Sequence, residues 1–142
     1  MTKQEIDAWR AFMRAHAIVT RKLECELLAQ HQISLPEYTV LLRLLEAPDR
    51  RLRMTDLAEG VFLSRSGMTR LVDRMQKDGL IDRAICESDL RVTYAQLTDR
   101  GYQRLKECSG THLRGIRQHV TGKLAPAELD QMHALMSRIT AG

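Results

Sequence analysis

The chain has 142 residues, of which 44% are hydrophobic and 4% aromatic, and its 22 basic and 18 acidic residues give a formal net charge of +4. This length and hydrophobic content suit one compact domain. The low aromatic content argues against a protein that stacks single-stranded bases on aromatic rings. Three cysteines without close spacing do not fit a disulfide framework. The polar N-terminal residues and the absence of a long apolar run lead us to expect a cytoplasmic protein with no membrane partner.

The first two predicted elements are helices. Apolar residues recur every three or four positions from Ile6 to about Gln30, which predicts a long amphipathic first helix. Ser34 is then the expected N-cap of a second helix. Pro36 fits its first turn, and Glu37 is placed to complete a capping box.

The centre of the chain predicts a helix-turn-helix. Thr55 is the expected cap of a short third helix, which gives way around Phe62. Ser64 caps a fourth helix that stops at Gly79. Gly60 and Gly67 interrupt this module, and they either loosen it or let a neighbouring backbone approach closely.

A hairpin and two more helices follow. Residues 80–86 and 92–97 are β-rich and flank a polar tip, which predicts two antiparallel strands. Thr98 caps a fifth helix that continues to about Thr121, and Pro126 starts a sixth. The apolar faces of the helices near both chain ends have little to cover them within one copy, so we expect them to pair with a second copy.

The fourth helix has one apolar and one polar face. The apolar face is predicted to be buried and comprises Met68, Leu71, Val72 and Met75. The first turns of the polar face suit base edges, because arginine can bind guanine with two hydrogen bonds and a threonine methyl suits thymine. These candidate base-reading residues are Arg65, Ser66, Thr69 and Arg70. Arg74 and Lys77 lie further along and are candidates for phosphate contacts. Taken alone, the whole polar face is explained equally well as a solvated helix surface.

The hairpin tip carries an arginine that favours DNA binding. Arg91 is placed to enter a narrow minor groove, where the negative potential is greatest. Asp89, two residues earlier, could hold the side chain of Arg91 or that of Arg83 in place.

Several motifs in this order resemble the MarR family of bacterial transcription regulators. They are Asp56-Leu57-Ala58, Leu63-Ser64-Arg65-Ser66-Gly67-Met68-Thr69-Arg70-Leu71-Val72-Asp73-Arg74-Met75, Asp78-Gly79-Leu80-Ile81-Asp82-Arg83, Asp89-Leu90-Arg91 and Leu97-Thr98-Asp99-Arg100-Gly101. The resemblance implies a mainly α fold with a small β-hairpin, in which residues 34–98 form the winged helix-turn-helix lobe. Residues 1–33 and 99–142 are then dimerisation helices.

The resemblance also implies a function. Such proteins are homodimers that bind a pseudo-palindromic operator in double-stranded DNA and usually repress transcription. A small phenolic or other ligand, or an oxidant, releases them. Arg91 would be the wing arginine in the minor groove, and Ser66, Thr69 and Arg70 would lie on the base-reading face.

The residues that would sense a signal are less evident. Trp9, His16 and Tyr38 are candidates to line a cleft for an aromatic effector, and ordinary packing explains them as well. Cys25 is the redox candidate because peroxide-sensing relatives use a cysteine on the first helix, but neighbouring glutamates disfavour its thiolate. His112 and His119 lie two helical turns apart, too far to share a metal ion without other ligands, so no metal or cofactor is predicted.

Catalytic motifs are missing from the sequence. It contains no His-Glu-x-x-His, no phosphate-binding glycine loop and no serine elbow, so we do not expect an enzyme. The main alternative to a signal-responsive repressor is a constitutive DNA-organising or protein-binding winged-helix dimer without an effector.

Overall fold

Over the residues that the computed structural model describes, 1–59, 61 and 63–142, six α-helices and three short strands follow one another along the chain. Gly60 and the expected end of the third helix around Phe62 lie outside the described residues. The helices are α1 (Lys3–His31), α2 (Leu35–Glu46), α3 (Met54–Ala58), α4 (Arg65–Lys77), α5 (Asp99–His119) and α6 (Pro126–Thr140). The strands are β1 (Arg51–Arg53), β2 (Ile81–Ile85) and β3 (Thr93–Leu97). This architecture confirms the predicted mainly α fold with a small hairpin.

Local capping signals explain where several helices begin and end. The Ser64 side chain accepts a hydrogen bond from the backbone N–H of Gly67 at 3.1 Å, which satisfies one free donor of the first turn of α4. The Thr98 hydroxyl does the same for Gly101 at the start of α5, at 3.0 Å. Gly79 follows α4 with a φ of 76°, a left-handed conformation that glycine adopts without strain.

Two predictions about helix starts are wrong. The Ser34 hydroxyl caps α2 by accepting from the N–H of Glu37, but the Glu37 carboxylate does not close a capping box. That carboxylate instead accepts from Arg74 of α4 at 2.6 Å, so a tertiary ion pair replaces the local contact. Thr55 is not the cap of α3, because the helix begins at Met54 and the residue before it, Arg53, is extended.

The three strands form one antiparallel sheet in the order β1-β3-β2. The β2–β3 pair is the predicted hairpin, with Ile81 opposite Leu97 and Ile85 opposite Thr93. β1 was not predicted, and it pairs with the other edge of β3, where Arg53 lies opposite Tyr94. The sheet therefore joins the segment before α3 to the β2–β3 hairpin, which is the wing of the predicted winged helix-turn-helix.

The core lies where α2, α4 and the sheet meet α5 and the end of α1. The predicted apolar face of α4 is buried there, which confirms that prediction. Fully buried neighbours from the other elements include Leu27, Val40, Leu41, Leu44, Leu57, Ile81 and Cys108. The polar face of α4 is consequently directed away from the core.

The long helices α1 and α5 pack closely against each other. A Cβ at Gly115 would lie 2.4 Å from the Glu26 carboxylate and 2.8 Å from Leu23, so the two side chains would have to shift to admit it. The same carboxylate lies 2.5 Å from Nε2 of His119. By contrast, α6 has no buried residue. Within the described part of the chain, no helix is both long and apolar enough to cross a membrane.

Candidate nucleic-acid interface

The start of α4 presents the predicted base-reading residues to solvent. Arg65, Ser66, Thr69 and Arg70 are all exposed. The Thr69 hydroxyl donates to the backbone carbonyl of Arg65 at 3.0 Å. Its proton is therefore already used, and the methyl group is the part of Thr69 best suited to contact a base.

The later part of α4 is divided between solvent and α2. Lys77 is exposed, as a phosphate contact requires. Arg74 is also largely exposed, but one of its N–H groups is bound to Glu37. A phosphate at Arg74 would compete with that carboxylate, and the contact also ties α4 to the N-terminal turn of α2.

The wing arginine projects from the protein and is held by one neighbour. Arg91 has 91% of its side chain exposed, and its Nε donates to Asp89 at 3.1 Å. Its backbone N–H binds the same carboxylate at 3.1 Å. These hydrogen bonds lower the pKa of Asp89, so the carboxylate stays ionised beside the arginine. The predicted contact between Asp89 and Arg91 is confirmed.

The alternative that Asp89 holds Arg83 is wrong. Arg83 instead binds Asp73 on α4 at 2.6 Å and donates to the Gln76 side chain at 3.2 Å. Because Arg83 lies on β2, these contacts join the hairpin directly to α4, the candidate recognition helix. The distance between α4 and the hairpin is thereby restrained.

A groove of about 560 Å³ separates α4 from the wing. Its lining comprises Arg53, Met54, Thr55, Thr69, Asp73, Arg83, Arg91, Val92 and Thr93. Sequence reasoning missed Arg53, because a strand of three residues is too short to show an alternating pattern. The alternation of two arginines around Leu52 is the signal that could have indicated it.

The structure does not bring the three candidate effector residues together. His16 lines a cleft of about 330 Å³ with Thr20, Glu24, Leu35, Pro36, Thr39 and Val61. Trp9 lies two turns before His16 and is exposed beside Phe12, with ring centroids 6.2 Å apart. The assignment of Trp9 to an effector site remains a prediction.

Tyr38 packs in the core, as the alternative of ordinary packing has it, and it does not line this cleft. Tyr38 is 3% exposed, and its hydroxyl lies 3.2 Å from that of Ser109 on α5. Its ring contacts His112, with centroids 4.4 Å apart. The reason is helical geometry: Leu35, Pro36 and Thr39 occupy the cleft side of α2, which turns Tyr38 towards α5.

The cysteines and histidines lie in separate environments. Cys25 is exposed on α1, and its redox role remains a prediction. Cys86 in the wing has a lowered pKa, because the Ser88 hydroxyl and nearby backbone N–H groups stabilise its thiolate. Burial raises the pKa of Cys108 and lowers that of His112. Across the described residues, no three histidine, cysteine or acidic side chains gather as metal ligands.

A helix with an exposed polar face beside a hairpin with a projecting arginine defines a winged helix-turn-helix protein. Comparison with known proteins is consistent with this class. Residues 31–91 match the model of the MarR family. The chain is 30% identical over 123 residues to the HTH-type transcriptional repressor IacR of Pseudomonas putida, covering 87% of this chain and 71% of that protein.

Two solved structures from Streptomyces coelicolor are similar over 99% of the chain. The MarR family transcriptional regulator Sco3205, crystallised in complex with DNA, is 34% identical with a TM-score of 0.88, and 88% of it is covered. The MarR family transcriptional regulator AbsC is 30% identical with a TM-score of 0.88, and 95% of it is covered. The chain belongs to the MarR family of transcriptional regulators.

Proposed function

We propose that this regulator binds a pseudo-palindromic operator as a homodimer and represses transcription until a signal releases it. Each protomer inserts the start of α4 into the major groove, where Arg65, Ser66, Thr69 and Arg70 contact base edges. Arg91 enters the adjacent minor groove, with Asp89 orienting its guanidinium. Lys77 binds phosphate, and Arg74 does so in competition with Glu37. A DNA-binding protein of this kind works in the cytoplasm.

The observation that carries this proposal is the joint placement of α4 and the wing. Thr69 and Arg91 line the two sides of one groove, so they are close enough to act on adjoining DNA grooves. The ion pair between Asp73 and Arg83 restrains that distance. A solvated helix face alone would require neither this pairing nor an exposed arginine at the wing.

Dimerisation is supported by the surface of the chain. The solvent-accessible area is 10119 Å², whereas a compact monomer of 16.3 kDa has roughly 7500 Å². The excess is comparable to what one protomer buries in a large obligate dimer. Large apolar side chains are exposed on the terminal helices, at Trp9, Phe12, Met13, Leu113, Met132, Leu135 and Ile139. We therefore assign residues 1–33 and 99–142 to the dimer and residues 34–98 to the DNA-binding lobe.

The signal is proposed to be a small aromatic or phenolic compound that occupies the cleft beside His16. Its volume, about 330 Å³, suits a small ligand, and Leu35, Pro36 and Val61 give it an apolar side. Val61 lines this cleft and lies between α3 and α4. An occupant of the cleft would contact the segment that connects the two helices, and a shift there would move the recognition helix.

The proposal is tested by selecting duplexes from a random library with the purified protein and measuring affinity by fluorescence anisotropy. We expect a preferred inverted-repeat sequence and a dimer in sedimentation analysis. Arg70→Ala should reduce discrimination against a shuffled duplex by about 1–3 kcal/mol. Lys106→Ala, an exposed change on α5, is the matched control and should retain it.

Each alternative function predicts a different result in this binding experiment. Tight binding to every duplex without preference would indicate a DNA-organising protein, and absence of binding to any duplex would indicate a protein-binding adaptor. Either result would refute the proposed function. Selective binding that persists with all small aromatic compounds would refute release by an aromatic ligand, while leaving operator recognition intact.

A further inference from the structure

The groove between α4 and the wing contains three arginines with different electrostatic environments. Arg83 is paired with Asp73 at 2.6 Å, and Arg91 is paired with Asp89 at 3.1 Å. Arg53 forms no ion pair within the described residues. The groove therefore has one cation whose charge is not balanced by a carboxylate in contact with it.

Arg53 is held in the groove by the sheet. It lies on β1 opposite Tyr94 of β3, and the interaction with Tyr94 raises the pKa of its guanidinium. Asp56 adds a longer-range attraction in the same direction. The guanidinium is exposed and permanently charged.

The geometry of the DNA duplex places one DNA strand in this groove of the protein. The major and minor grooves of B-DNA are separated by a sugar-phosphate backbone, so a protein that occupies both at once must straddle one strand. Here the base-reading Thr69 is on one side of the groove, and the minor-groove Arg91 is on the other. The space between them is where that backbone would lie.

We propose that Arg53 binds a phosphate of the DNA strand that lies between α4 and the wing. This inference rests on the proposed function. The ligand is a DNA backbone phosphate, so the contact contributes affinity and register without reading sequence. Arg53 then adds an anchor from β1 to those that α4 and the wing provide.

Arg51 supplies a matched control. It lies on the same strand two residues earlier and is also exposed. Its guanidinium stacks on the ring of Tyr94, 4.6 Å from the centroid, and it does not line the groove. Removing either arginine costs the same charge on the same strand, so a difference between the variants reports on position in the groove.

The experiment measures the salt dependence of binding to a fluorescent random-sequence duplex for wild type, Arg53→Gln and Arg51→Gln. Loss of one phosphate contact in each protomer should reduce the slope of log affinity against log salt by about 1.8. The deficit of Arg53→Gln relative to wild type should therefore shrink about twelvefold between about 50 and about 200 mM salt. Arg51→Gln should keep at least most of the wild-type slope.

Two further measurements complete the test. Arg53→Lys keeps the charge and should restore most of the slope, which separates a phosphate contact from a folding defect. Arg53→Gln should weaken binding to a selected operator and to random duplex by equal factors. An unchanged slope for Arg53→Gln, an equal reduction for Arg51→Gln, or a loss confined to the operator would overturn the inference. Failure of wild type to bind any duplex would instead refute the proposed function.

Discussion

Replacing Arg91 with alanine separates DNA binding from folding. The side chain is 91% exposed, and within the described part of the chain its guanidinium bonds to the Asp89 carboxylate two residues away. Its removal should leave the melting temperature within about 2 °C of wild type, because exposed ion pairs contribute little to stability. In the complex, however, the guanidinium would lie in the narrow minor groove, where the potential is most negative.

The expected loss for Arg91→Ala is about 1–3 kcal/mol of operator binding, or about 5- to 150-fold in Kd. Anisotropy titrations at one fixed salt concentration measure it, with thermal unfolding followed in parallel. Asp89→Asn is the companion variant, since it keeps the arginine and weakens the contact that orients it. We expect a smaller loss for Asp89→Asn than for Arg91→Ala. Full affinity in Arg91→Ala would show that the wing does not enter the minor groove.

Three further predictions concern packing, protonation and capping. Gly101→Ala should cost about 1–3 kcal/mol of unfolding free energy, because its Cβ would lie 2.2 Å from the carbonyl oxygen of Leu80; Gly110→Ala, which faces only a flexible side chain, should cost nothing in the same denaturant titration. Burial lowers the pKa of His112, so the imidazole binds a proton more readily in the unfolded chain than in the folded protein. The free energy of unfolding should therefore fall as the pH drops below about 6.5. It should fall less steeply in His112→Phe. Ser64→Ala should cost about 0.5–2 kcal/mol by removing the α4 cap, and an unchanged denaturation midpoint would contradict the capping assignment.

Local sequence signals predicted most of the fold because they act over one or two turns. The caps at Ser64 and Thr98 each bind an N–H three residues ahead, and Gly79 adopts the left-handed conformation that ends a helix. The buried face of α4 follows from the period of its apolar residues. None of these features depends on a distant part of the chain.

Features that depend on distant partners were not predictable in the same way. β1 has three residues and is stabilised by pairing with β3, which lies far along the sequence. The Glu37 carboxylate could close a local capping box or pair with the distant Arg74. It forms the ion pair with Arg74. Tyr38 faces α5 rather than the cleft, because the core decides which side of α2 is buried. The candidate base-reading residues were identified from the sequence alone, whereas Arg53 became a candidate only through its place in the sheet.

In the proposed complex, two winged heads held by the terminal helices occupy successive turns of one duplex. Hydroxyl-radical footprinting of the selected duplex measures this arrangement. We expect two protected patches on one face of the DNA, with their centres about 10 base pairs apart. A single unpaired patch, or uniform protection without that spacing, would contradict it.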